Sequence, residues 1–175
     1  MRRTGLLLLG VIALAVETAG CGGGGESFDA NGIGITFKYP SDFKQIKDVS
    51  FGRSAGANAA ARAGISLDAV NAITVSRYEL KVPITKDNLA KFKGEVDNVI
   101  SQLAGKRVSG HEVEYGGFPG YEYTISLTRP ANGLSRLEVL FDRATEYLFN
   151  CQSTPPKRSK IENACRQALD TLGRK

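Results

Sequence analysis

Tryptophan is absent from this 175-residue chain, and histidine and methionine occur once each. Without tryptophan, an aromatic platform for sugars would rest on tyrosine and phenylalanine alone. With one histidine, every imidazole-based relay or metal site reduces to a single candidate, His111. That residue sits in a predicted strand beside Glu112 and Glu114, where it reads as an ordinary strand residue. No Walker-type phosphate loop occurs, and the acidic residues form no EF-hand ligand cluster. Asp68 and Asp87 read as turn and helix-start residues, not as a catalytic pair. The expectation is a protein without catalytic residues, cofactor or metal; a hydrolase using His111 is the minor alternative.

Long hydrophobic runs are also missing. Leu6 to Val16 is an eleven-residue apolar stretch, well short of the roughly 20 residues that a spanning helix needs. Arg2 and Arg3 precede the stretch, and Thr18-Ala19-Gly20 leads into Cys21. Positive start, short apolar middle and small-residue end make a secretory signal. The cysteine at its end looks like the lipidation site of a bacterial lipoprotein, although Thr18 stands where such signals usually carry leucine. Ordinary signal cleavage near Ala19 or Gly20 is the competing reading. Residues 1–20 are thus read as a lipoprotein signal peptide and residues 21–31 as a lipidated, Gly-rich tether. Residues 32–175 are read as one domain on the extracytoplasmic face of the cell membrane. A Gly-rich chain of about ten residues spans roughly 15–20 Å on average, enough to lift a domain clear of the headgroups.

The exported part is long enough for a real core, and the chain's 42% hydrophobic and 23% charged content is globular. Loss of Arg2, Arg3 and Glu17 with the signal lowers the net charge from +5 to +4. A mild positive charge suits a surface rich in anionic lipid. The basic residues are scattered, apart from Lys157-Arg158-Ser159-Lys160 at a predicted helix start, and this excludes a nucleic-acid face. Cys151 and Cys165 remain once Cys21 is assigned. An even pair in an exported domain reads as a disulfide; two buried free thiols are the alternative. A metal site combining them with a distant lone His111 is a poor ligand set.

Alternation of Ile33, Ile35, Phe37 and Tyr39 predicts a strand that ends at Pro40-Ser41-Asp42. Further strands are predicted at Ile46–Gly52, at Ala61–Leu67 and, after a turn at Asp68–Asn71, at Ala72–Leu80. Leu89, Phe92, Val96, Val99, Ile100 and Leu103 fall at helical spacing. Thr85 is the expected cap, Asp87 lies in the expected first turn, and Gly105 is the stop. This stripe is expected to pack on a sheet; a membrane-surface helix is the alternative. Strands follow at Val108–Tyr115, Tyr121–Thr128, Leu134–Phe141 and Tyr147–Cys151, the last two joined by a turn at Asp142–Thr145. A final helix, with Ile161, Cys165, Leu169 and Leu172 on one face, would bring Cys165 to Cys151. Short links between strands argue an antiparallel α+β domain over a parallel winding.

GIGITFKYPSDF, GGFPGYEYTISL and EYLFNCQS, followed by a closing helix, together resemble the PsbP-like superfamily over roughly residues 31–173. Within it, the actinobacterial LpqN/LpqT-type lipoproteins are most similar, because they share the export signal. The resemblance implies an antiparallel sheet between helical layers, an α/β/α sandwich, and no enzymatic activity.

One local feature stands out. Tyr115-Gly116-Gly117-Phe118-Pro119-Gly120-Tyr121 is a tight reversal flanked by aromatics. Tyr115, Phe118 and Tyr121 either present anchors to a partner or ligand or simply enter the core. The functional expectation is a lipid-anchored, non-catalytic binding or assembly module whose partners are the membrane and an unidentified envelope protein or apolar ligand. A carrier of lipid or another apolar envelope molecule is the alternative.

Overall fold

A computed structural model describes residues 25–47 and 58–175 of the chain. Its strands are β1 (Glu26–Asp29), β2 (Ile35–Tyr39), β3 (Lys44–Lys47), β4 (Ala61–Ser66), β5 (Ala72–Ile84), β6 (His111–Tyr115), β7 (Phe118–Leu127), β8 (Gly133–Ser153) and β9 (Gly173–Arg174). Helix α1 (Leu89–Ala104) lies between β5 and β6, and α2 (Arg158–Asp170) follows a short 3-10 turn at Pro155–Lys157. The larger sheet has the order β3-β4-β5-β8-β7-β6 and the smaller one β1-β2-β9, with antiparallel pairing throughout.

The long run β8 doubles back on itself. Its first part, Gly133–Leu140, pairs with β7, and its second part, Arg143–Gln152, pairs with β5. Ser135 Oγ lies 2.6 Å from Asn150 Oδ1, whereas a straight strand would hold residues that far apart in sequence about 50 Å apart. The reversal falls at Asp142–Thr145, the predicted turn, where Arg143 adopts φ 54°. It also switches the face that alternate residues present. Leu137, Val139 and Phe141 lie under α1, whereas Tyr147, Phe149 and Cys151 lie on the opposite face.

Two cores result. On one face of the large sheet, α2 and the small sheet enclose Phe28, Phe37, Phe149, Ile161 and Leu169. The Phe28 and Phe37 rings stack at 4.3 Å. On the other face, α1 covers Leu137, Val139, Phe141 and the β7 residues Tyr121, Tyr123 and Ile125. Helix α1, the sheet, and a layer of α2 with the small sheet make the expected α/β/α arrangement. The predicted alternation holds at Ile33, Ile35, Phe37 and Tyr39, all of which are buried.

Three expectations need correction. The tether does not run to residue 31: Glu26–Asp29 pairs with β2 from end to end, and Phe28 is fully buried. Polar flanks and glycines hid a four-residue strand whose only inward side chain is that phenylalanine. Thr85 and Asp87 do not start α1, which begins at Leu89 with no side-chain cap. Instead the Thr85 N–H donates to Asn88 Oδ1 at 2.8 Å, and Asn88 Nδ2 donates to the Pro83 carbonyl. The strand predicted from Val108 begins at His111, because α1 claims the residues before it. Ser101 Oγ bonds the backbone of Val108 at 3.0 and 3.2 Å, and Asp97 Oδ1 accepts the Gly110 N–H at 3.0 Å. Gly105 ends the helix as expected, in the left-handed conformation at φ 64°. Strand β3 covers only the start of the predicted Ile46–Gly52 strand, whose remainder lies outside the described residues.

Candidate functional site

Helix α1 has more apolar surface than the sheet beneath it covers. One flank is fastened down. The Tyr121 hydroxyl donates to the Leu89 carbonyl at 3.0 Å, and the Tyr123 hydroxyl donates to Asp97 Oδ1 at 2.8 Å. Lys93 Nζ is 2.7 Å from Asp97 Oδ2, which also accepts from Ser109 Oγ at 3.0 Å. Burial works against ionisation of Asp97, but this ring of donors outweighs it and holds the carboxyl well below the usual carboxylate range.

The other flank overhangs. Phe92, Val96, Val99 and Leu103 succeed one another along the helix face turned toward β5 and the returning limb of β8. Below them stand Tyr78 and Leu80 of β5 and Glu146 and Leu148 of β8. Val139 and Phe141 close the inner end of the space. The enclosed cleft measures about 410 Å³ and opens to solvent along the helix. Val99 and Leu103 remain 54% and 39% exposed, although both are large and apolar. The volume lies within the range of sites that hold small molecules.

The cleft is acidic where it is polar. Glu146 makes no hydrogen bond or ion pair among the described residues, and burial pushes its carboxyl up to about 7. Burial likewise raises the Tyr78 phenol. Glu95 stands on the α1 side, and Glu79 is ion-paired with Arg77. Among the described residues, no basic side chain lines the space.

The predicted site residues fall elsewhere. Cys151 and Cys165 form a disulfide with Cα atoms 6.1 Å apart, buried between β8 and α2. Phe118 and Tyr121 are not available as anchors: both enter the core, the second of the two readings of this segment. Phe118 is fully buried, edge-on to Tyr147 with centroids 5.8 Å apart and covered by the Arg174 guanidinium. Tyr121 is buried under α1. Tyr115 is half-buried, its hydroxyl 3.0 Å from Arg136 Nη2. The reversal between them is made by Gly116 and Gly117, at φ 58° and 79°, the pair of positive dihedrals that a two-residue hairpin requires. A Cβ on Gly116 would lie 2.2 Å from the Leu172 carbonyl oxygen, so the closing segment demands glycine there. Cys21 lies outside the described residues.

His111 projects from β6 with Nε2 3.7 Å from Glu122 Oε1 and is largely exposed. Asp68 is a turn residue as expected, accepting the Val70 and Asn71 backbone N–H groups at 3.0 and 2.9 Å. Gly52-Arg53-Ser54-Ala55-Gly56 has the spacing of a nucleophile elbow. It lies outside the described residues. The elements on either side, β3 and β4, are paired antiparallel strands, not the strand and helix that frame such an elbow.

A buried polar cluster lies on the face opposite the cleft. Arg136 bridges Glu122, at 2.7 Å, and the fully buried Glu138. No hydrogen-bond donor reaches Glu138 Oε2. Burial raises this carboxyl, against the pull of Arg136. Its oxygen lies within 4.8 Å of the Cys151 and Cys165 sulfurs. Because those sulfurs are bonded to each other, the group offers no thiolate and does not fit a metal centre.

The sequence missed the cleft. The signal available was the width of the α1 stripe, six apolar residues where a helix lying on one sheet face can bury about half that number fully; only Leu89 and Ile100 are buried.

No family model and no curated protein matches the chain. Solved structures do. The cyanobacterial PsbP (CyanoP) of Synechocystis sp. PCC 6803 superposes with TM-score 0.56 at 10% identity, over 86% of this chain and 92% of that one. A crystal structure from Bacteroides thetaiotaomicron VPI-5482 superposes with TM-score 0.55 at 13% identity, over 86% of this chain. The chain spans about half the length of that Bacteroides protein, 48% of it. The fold is therefore PsbP-like, an antiparallel α+β architecture with two helices.

Proposed function

We propose that this protein is a non-catalytic binding module of the bacterial cell envelope, held to the membrane by lipid on Cys21, and that it binds through the cleft beneath α1. The observation that carries the reading is the overhang of α1. Four apolar helix residues face a cleft of about 410 Å³; Phe92 and Val96 are only partly buried, and Val99 and Leu103 remain exposed among the described residues. Leaving Val99 and Leu103 half exposed forgoes part of the roughly 1.5–3 kcal/mol that full burial of such a side chain is worth, a cost that an occupant removes. The volume is at the low end for small-molecule sites, which suits one apolar chain or ring better than a two-chained lipid. The export signal and the PsbP-like fold are also features of the actinobacterial LpqN/LpqT-type lipoproteins, and we place the chain nearest to them.

Two measurements test this. Palmitate labelling of cells making the wild type or Cys21→Ala is expected to mark only the wild type; equal labelling removes the anchor. Titration with an environment-sensitive naphthylamine dye is expected to give saturable fluorescence that Val96→Trp, which fills the cleft, abolishes. Unchanged dye binding in Val96→Trp rules the cleft out as the binding surface.

A further inference from the structure

Glu146 stands on the floor of the cleft with Tyr78 and Glu79, and nothing among the described residues neutralises it. It projects from the returning limb of β8 directly opposite Tyr78 in the ladder, with Leu148 two residues further along the same face. A carboxyl in that position costs desolvation whenever it is charged, and the fold supplies no partner. Glu95 faces the opening from α1 and adds to the negative field, whereas Glu79 at the β5 edge is paired with Arg77. The nearest cation on the same sheet face, Arg62 of β4, stands beyond Tyr78 and does not line the cleft. The cleft therefore combines an apolar body with a partly buried anionic end inside a protein of net positive charge.

We propose that the cleft selects an amphiphile whose apolar chain lies against Phe92, Val96, Val99 and Leu103 and whose cationic end, an ammonium group, pairs with Glu146. This deepens the function proposed above and rests on it. The geometry separates the two roles: apolar contacts come from α1, which forms the roof, and charge recognition comes from β8, which forms the floor. An ammonium donates hydrogen bonds to the carboxylate in an environment where such bonds are strong. A fatty acid or an anionic lipid would place a second negative charge against Glu146 and is disfavoured. An alcohol of equal length gains the apolar contacts without the ion pair.

Around Glu146 stand Tyr78 and Glu79 on β5, Glu95 on α1 and, beyond Tyr78, Arg62 on β4, but the raised carboxyl is due to burial. Burial keeps the empty site largely protonated below about pH 7. Binding of an ammonium then expels that proton, so affinity rises from pH 6 to pH 8.

The test uses the full-length protein in its own membrane vesicles at pH 8. It employs two photoactivatable probes of equal chain length, one ending in a primary amine and one in a hydroxyl. Adducts are mapped by peptide mass spectrometry to α1 and to the returning limb of β8. The expected result is labelling of the cleft by both probes, with the amine favoured by at least about tenfold, as a charge-assisted bond implies. Glu146→Gln is expected to remove the preference and to keep labelling by the alcohol, which shows that the variant's cleft is intact. Equal labelling of the wild type by the two probes overturns the inference and leaves the binding function standing. An amine preference that survives Glu146→Gln also overturns it. Absence of cleft labelling by either probe overturns the function itself.

Discussion

The Tyr123 hydroxyl donates to Asp97 Oδ1 at 2.8 Å, and this bond, from the middle of β7 to the middle of α1, decides which flank of the helix meets the sheet. The same carboxylate takes Lys93, Ser109 and the Gly110 backbone, so one side chain ties the helix to the strand beneath it and to the segment leading into β6. With that flank fixed, the opposite flank overhangs and the cleft follows.

Removing the bond weakens the fold in a pH-dependent way. Tyr123→Phe leaves a charged acceptor short of a donor and is expected to cost about 1.5–3 kcal/mol. The Asp97 carboxyl sits below its unfolded value, so its contribution is present above about pH 4 and lost as pH falls further. Urea melts of wild type and Asp97→Asn across the acid range are expected to differ most at neutral pH and to converge below about pH 4.

Glu146 has the opposite sign. Its folded value is raised from 4.5 to about 7, so ionisation penalises the folded state, and stability falls as pH rises between those values. Glu146→Gln is expected to match the wild type near pH 4 and to exceed it at pH 8 by up to about 3 kcal/mol. Thermal unfolding at both pH values measures this. A variant less stable than the wild type at pH 8 would contradict the unpartnered carboxyl.

The Cys151–Cys165 disulfide closes a loop with a sequence separation of 14. A loop of that size is worth about 3 kcal/mol in the chain-entropy model. Reduction, or Cys165→Ala, is expected to lower Tm by roughly 6–12 °C for a domain of this size. Calorimetry with and without reductant checks this, and thiol titration of the unreduced unfolded chain should find neither of these sulfurs.

Core and cleft are separable by mutation. Phe118→Ala empties a fully buried site and is expected to cost about 3–5 kcal/mol without changing dye binding in the protein that remains folded. Val99→Ser and Leu103→Ser alter half-exposed positions. They are expected to change stability by less than about 1 kcal/mol while weakening dye binding. Chemical denaturation and dye titration on the same samples distinguish the two classes.

Much of the fold is legible in local pattern. Period-two alternation at Ile33–Tyr39 and Tyr121–Leu127, the Asp142–Thr145 turn, and the helical spacing that turns Cys165 inward are properties of short segments. Backbone geometry converts them directly into faces. Residues 26–29 were hidden because a strand with a single buried side chain has no period to detect. The start of α1 was misplaced because Thr85 and Asn88 exchange a bond ahead of the helix, and several polar residues in a row fit a cap equally well.

The candidate site was beyond such patterns. Six apolar residues at helical spacing establish that α1 packs on something, but not which of them it buries. That choice belongs to Tyr121 and Tyr123, which reach helix residues 32 and 26 positions away in sequence. Glu146 likewise reads as one more strand carboxylate, and only the return of β8 beside β5 places it under the apolar overhang. Periodicity assigns a residue to a face, whereas exposure and charge state depend on what the completed fold sets against that face.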